Sequence, residues 1–169
     1  MVSEDEKIDL LIIFGSSLIL LSFFLPWAKY QDLLTSKVFN LTALNLLTLT
    51  YGIGLIPLEK IIDTTVFLFY QIPLIGLIII GIIGIIYGVL RFFEKFTLIE
   101  ENSHYNIIST LGMFSIGFIV YNFIICAIYS NILIVYNSVI TAEGSGLILN
   151  FIGGMILLIS SMILKKREI

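Results

Sequence analysis

The stretch VFLFYQIPLIGLIIIGIIGIIYGVL, Val66 to Leu90, decides how this chain is read. It holds no charged residue, and Gln71 is its only strongly polar side chain. At about 1.5 Å of rise per residue, a helix of this length crosses a hydrocarbon core of about 30 Å with some tilt. A water-soluble protein would have to enclose such a helix on every side. The chain has 169 residues, 59% hydrophobic and 12% charged, against about 25% charged in an ordinary soluble domain. It is too short and too apolar to supply that enclosure. The expected class is an all-α integral membrane protein.

Three further segments read the same way, giving a four-transmembrane-helix bundle in one membrane domain, with spans at about 8–27, 66–90, 105–129 and 146–164. Span one carries Ser16, Ser17 and Ser22, whose hydroxyls are cheap in lipid because they bond back to their own helix. Pro26 ends it, and Trp27 is expected as an interfacial anchor. The first residues, VSEDEK, are acidic where a cleaved signal needs positive charge, so this span is expected to stay in the mature protein. In span two Pro73 falls early, and Gly81, Gly84 and Gly88 line one face that admits a close neighbour. A helix of the same chain is the expected neighbour, with an identical partner chain as the alternative. Span four has Gly153-Gly154 as a second close-approach point and stops at Lys165, Lys166 and Arg167, a snorkelling cationic cluster.

The run from Tyr105 to Ala142 is uncharged and longer than a bilayer needs. Either the third helix projects past Tyr129, or Ile132 to Tyr136 is a separate segment packed outside. The interruption at Ser130-Asn131 favours the second. The outside loops are then 28–65 and 130–145, with a cytoplasmic loop at 91–104. Orientation follows from Lys7, Arg91, Lys95, Lys165, Lys166 and Arg167 on one side against Lys29, Lys37 and Lys60 on the other. That asymmetry puts both termini in the cytoplasm of a cell-membrane protein. Segment 39–57 is apolar enough to suggest a fifth span, but Asn40, Thr42, Asn45, Thr48, Thr50, Gly52, Gly54 and Pro57 oppose a membrane helix. It is expected to form a small extracytoplasmic cap, built as a short helix or as strands.

Absent chemistry narrows the function. No ionisable residue lies in the central part of any span, whereas ion pathways and proton relays ordinarily carry one. Cys126 is the only cysteine and His104 the only histidine. A disulfide, a thiolate metal site or bis-histidine haem needs more than these. Cys126 reads as a small buried apolar side chain and His104 as a solvated loop histidine. No cofactor is expected. Scattered charge summing to −3 gives no footprint for nucleic acid. Counting inward from the outer surface, Ser22, Gln71, Asn122 and Asn150 fall at roughly 5 to 10 Å depth on four different spans. Such a polar layer is either a hydrogen-bonded clamp that fixes register or an outward-opening site for a small molecule or headgroup. The clamp is the expectation. Asn40-Leu41-Thr42 matches a glycosylation acceptor in the first outside loop. Glu59, Lys60 and Asp63 read as a solvated rim.

Phe24-Leu25-Pro26-Trp27 closing the first span, with Pro73-Leu74 opening the next, resembles small uncharacterised prokaryotic four-span membrane proteins. The layout also resembles the claudin type, with a long first outside loop, a short second one and both termini inside. The claudin signature itself, a Gly-Leu-Trp and two loop cysteines, is not present in this loop. These resemblances imply a fold and no activity. The expected function is non-enzymatic association, as an accessory subunit of a membrane complex or a self-associating scaffold. Its expected partners are membrane lipids, other membrane proteins or copies of itself. A small transporter or channel using the polar layer is the alternative.

Overall fold

The computed structural model describes residues 4–43, 64–93, 101–133 and 138–167. Among them are four helices, α1 (Glu4–Ser22), α2 (Thr64–Phe92), α3 (Glu101–Leu133) and α4 (Ser145–Arg167). Three strands complete the fold: β1 (Pro26–Asp32), β2 (Val38–Thr42) and β3 (Ser138–Thr141). Three of the helices, over Pro73–Phe92, His104–Ile128 and Ser145–Lys166, are long and apolar enough to cross a membrane.

Each helix buries a single stripe at helical spacing. In α1 it is Ile8, Ile12, Gly15, Ser16, Ile19 and Ser22; in α2 it is Leu74, Leu77, Gly81, Gly84, Tyr87 and Gly88. The opposite faces are apolar and exposed, as at Phe14, Ile79, Ile86, Phe114, Phe151 and Met162. A stripe about one third of the circumference wide suits a ring of four helices around a narrow axis. α1 packs between α2 and α4, α4 packs between α1 and α3, and α2 and α3 touch least.

Glycine sets how near the helices come. A Cβ at Gly153 would lie 2.6 Å from the Gly15 carbonyl oxygen, and one at Gly112 would lie 2.9 Å from that of Gly154. The Gly81, Gly84 and Gly88 face is occupied by α1 of the same chain, through Leu20, Ser16 and Ile13. Ser17, Ser22, Ser160 and Ser161 hydroxyls donate to carbonyls three or four residues back. Ser16 differs: its buried Oγ makes no hydrogen bond and lies against Gly84.

The helices differ in length, and the sheet occupies the step. α1 and α4 have 19 and 23 residues, whereas α2 and α3 have 29 and 33. At helical rise α3 is therefore about 50 Å long. It runs unbroken through Ser130-Asn131, so the third helix projects and Ile132 belongs to it, contrary to the separate segment expected there. The first helix stops at Ser22, short of the expected 27, and the chain turns into β1 through bonds from Phe23, Phe24 and Leu25 to the last turn. The strand order is β2-β1-β3, antiparallel throughout. Phe39 to Thr42 thus lies in a strand and not in a membrane helix. The cap also draws β3 from the loop between α3 and α4, which its assignment to the first loop alone did not include. The questions raised over 44–63, Glu59, Lys60 and Asp63 included, lie outside the described residues.

Trp27 is the plug between sheet and bundle. It is 0% exposed, its Nε1 donates to the Ser22 carbonyl at 2.6 Å, and its ring meets Phe118 edge-on at 5.3 Å. A side chain at Gly146 would overlap that indole, and one at Gly144 (φ +151°) would overlap the Pro26 carbonyl. The expected outward anchor therefore faces inward. Ala28, Tyr30, Leu41 and Ile140 complete the inner face of the sheet, with Lys29, Gln31 and Asn40 on the outer face.

The glycine contacts predict opposite outcomes on one helix. Gly84→Ala forces a methyl group into Ser16 and is expected to destabilise the detergent-solubilised protein by about 1–3 kcal/mol. Combining it with Ser16→Gly should recover part of that loss. Gly76, whose added Cβ meets nothing within 4 Å, should accept alanine with no loss, or with a gain of up to about 1 kcal/mol. Thermal melts of the three variants against the wild type decide it.

Candidate functional site

Polar groups gather in three places, and the deepest is between α3 and α4. Ser115 Oγ donates to Asn150 Oδ1 at 2.7 Å, and Asn150 Nδ2 donates back to the Ser115 carbonyl at 2.9 Å. Both residues are fully buried. The pair tells which turns of the two helices are level. Asn122 lies seven residues beyond Ser115 on α3, so it sits about 10 Å further toward the sheet than Asn150. Asn122 and Asn150 of the expected polar layer therefore stand on different levels. Ser22 is buried and bonded to Ile19 of its own helix, Asn122 is buried with Cys126 Sγ 3.9 Å from its Oδ1, and the Gln71 side chain lies outside those described. Ser115 is the partner that counting depth from the span ends could not identify, because that count took α3 to end four residues early.

The second place is the outer face of the cap. Lys29 Nζ meets Glu143 Oε1 at 3.0 Å, and Thr141 Oγ1 donates to the same oxygen at 3.2 Å. Together with Gln31, Val38 and Val139 these residues line an open depression of about 210 Å³. The β1–β2 turn is held by Asp32, whose carboxylate accepts from Leu34 N at 2.9 Å, Thr35 N at 3.3 Å and Thr35 Oγ1 at 2.7 Å. Ser36 closes the turn at φ +56°. Bonds from Thr35 and Leu34 hold the Asp32 carboxyl below its ordinary 3.8, and the bond from Lys29 holds Glu143 below its ordinary 4.5. Asn40, the glycosylation candidate, is exposed on β2 opposite Lys29.

The third place is the end that carries both termini. Arg91 Nε donates to Asp9 Oδ1 at 2.7 Å, with side chains only 15% and 5% exposed. The Tyr87 hydroxyl and His104 Nδ1 form a hydrogen bond. Three helices are joined by four side chains. His104 is buried and helical, which corrects its reading as a solvated loop histidine. The interior of the bundle encloses it because α3 begins at Glu101, before the expected 105. Asp9 repeats with Ile12, Ser16 and Ile19 on the buried face of α1, a spacing visible in the sequence. Beside the cluster, exposed Lys165 sits 5.3 Å above the Tyr105 ring. Lys166 is exposed and the Arg167 side chain lies outside those described. Cys126 is buried as expected.

These groups brace the fold. Among the described residues no three His, Cys, Asp or Glu side chains are placed to hold a metal ion.

A double-mutant cycle of Ser115→Ala and Asn150→Leu should return a coupling of roughly 0.6–2 kcal/mol, the range for hydrogen bonds between membrane helices. On the cap, carboxylates held low contribute stability above their ordinary range and lose it as pH falls through the lowered values. Carboxyl-carbon NMR titration should therefore place Asp32 and Glu143 below 3.8 and 4.5, with Thr35→Ala raising Asp32 and Lys29→Gln raising Glu143. Compared with known proteins, the chain has no match among family models, curated proteins or solved structures.

Proposed function

We propose that this chain is a non-enzymatic integral membrane protein of four crossings, with both termini cytoplasmic, that acts by association. It would serve as an accessory subunit of a membrane complex or as a self-associating scaffold. Three apolar helices of sufficient length support the membrane assignment. The fourth crossing is supported by α1, which packs between α2 and α4 and exposes Leu10, Leu11, Phe14 and Leu21 in the same apolar belt. Lipid tails would cover that belt.

The observation that carries association is the tip of the cap. Leu33, Leu34 and Val38 are exposed, Leu34 by 76%, on a turn that Asp32 holds rigid. A preformed apolar tip costs little ordering on binding and stands apart from the helix faces that lipid covers. The glycine faces do not compete for this role, because the chain's own helices fill them. The transporter alternative draws less support, since its proposed entrance is divided over two levels and the Asn150 amide is bonded to Ser115.

Two measurements test the proposal. Cysteine labelling in sealed cells should reach a probe at Thr35 from outside and one at Lys166 only after permeabilisation; equal access to both would overturn the topology. In mild detergent the particle should exceed the monomer mass by light scattering, and Leu33→Ser with Leu34→Ser should reduce it toward the monomer. A strictly monomeric wild-type particle, with no co-purifying subunit, would overturn association.

A further inference from the structure

We infer that the outer face of the cap is a two-fold contact between copies of this chain. Leu34 of each copy enters the depression between Val38 and Val139 of the other, and Lys29 of each meets Glu143 of the other. This contact deepens the association reading, on which it rests, by giving it a partner. The layout of the sheet is the starting point. On its outer face Gln31 stands between Val38 and Val139, and two residues nearer α1 Lys29 stands between Asn40 and Thr141. The depression of about 210 Å³ lies across these two rows, and Glu143 completes its lining. Pockets for small molecules ordinarily measure about 300–1,000 Å³, so this hollow has the size for a side chain.

Such a side chain stands beside it. Leu34 is 76% exposed on the turn that leads into Val38, and it takes no part in the lining of its own depression. The turn keeps it there. The Asp32 carboxylate accepts from the Leu34 and Thr35 amides, and Ser36 is fixed at φ +56°. A projection and a hollow on one rigid surface satisfy each other on a second molecule, and a two-fold axis satisfies both pairs at once.

A two-fold contact also sets a patch against itself, so its charges must complement their own copies. The sheet and its turns, 26–42 and 138–143, carry Lys29, Asp32, Lys37 and Glu143, two of each sign. Lys29 and Glu143 lie 3.0 Å apart with side chains 45% and 50% exposed, which leaves each with a free side for a second partner of opposite sign. An isolated exposed pair contributes little, whereas several charges in a network contribute more. Copies inserted in one membrane with one orientation present their caps at the same height, where these faces can meet.

Two differently tagged copies of the full chain, co-expressed and purified in mild detergent, test the contact. Wild-type copies should co-purify as a pair. Lys29→Glu on both copies, or Glu143→Lys on both, sets like charges across the axis and should raise the dimer Kd about tenfold or more. Lys29→Glu on one copy with Glu143→Lys on the other puts opposite charges at both crossings, and should recover most of the lost affinity. A locally damaged cap would not recover on mixing. Singly substituted copies that pair as tightly as the wild type, or a mixed pair that recovers nothing, would overturn this contact and leave association to another surface. Wild type that co-purifies with a different subunit and never with its own copy would overturn the second-copy partner while upholding association. A wild-type monomer with no partner at all would overturn both.

Discussion

Backbone touching backbone is the constraint from which the rest of this molecule follows. Where Gly15 meets Gly153 and Gly112 meets Gly154, no side chain separates the helices, and a Cβ at either contact would strike a carbonyl. Lipid tails are as apolar as leucine, so helices gain little by hiding leucine from lipid; they gain by fitting closely. Close fit then limits what the interface can hold. Ser16 lies against Gly84 with an unbonded hydroxyl, and Ser17, Ser22, Ser160 and Ser161 turn back onto their own helices. Asn150 is tolerated at full burial because Ser115 answers both ends of its amide.

The unequal helices explain the cap. α1 stops at Ser22 and α4 starts at Ser145, while α3 continues well beyond both. A step of that size leaves one side of α3 without helical neighbours, and β3 packs there. β1 then pairs with β3 on one edge and β2 on the other, so chain segments more than a hundred residues apart close one sheet. Trp27 makes the arrangement rigid. Its indole fills the space that Gly146 leaves open, and its N–H adds a second bond to the Ser22 carbonyl at the end of α1, which also accepts from Leu25 N.

How much of this was legible in the sequence depended on range. The long helices, the close-approach glycines and the burial of Cys126 follow from local pattern, because a long apolar run satisfies its backbone groups within its own helix. The sheet was only partly legible. Segment 39–57 reads as a short helix or as strands, and its start lies in the strand Val38–Thr42, but a partner drawn from 138–141 is a tertiary fact with no local mark. Trp27 misled for the same reason: an aromatic at a span end is ordinarily interfacial, and only the glycine opposite it shows that a socket exists. His104 was misplaced because α3 begins at Glu101, one turn earlier than hydropathy alone marks.

The same end of the bundle shows how charge is tolerated here. Arg91 counts toward the cationic end in the tally of sidedness, but it does not stand apart from Asp9. Within the bundle they are a single neutral unit, nearly buried and shared between α1 and α2. A lone buried carboxylate would be very costly, and so would a lone guanidinium; paired at 2.7 Å each relieves the other. The pair also explains how α1 can carry an acidic residue on its buried stripe. Glu4, Asp5 and Glu6 favour the positive end of the helix dipole. Asp9 alone lies on the inward stripe, and it is the one with an arginine waiting.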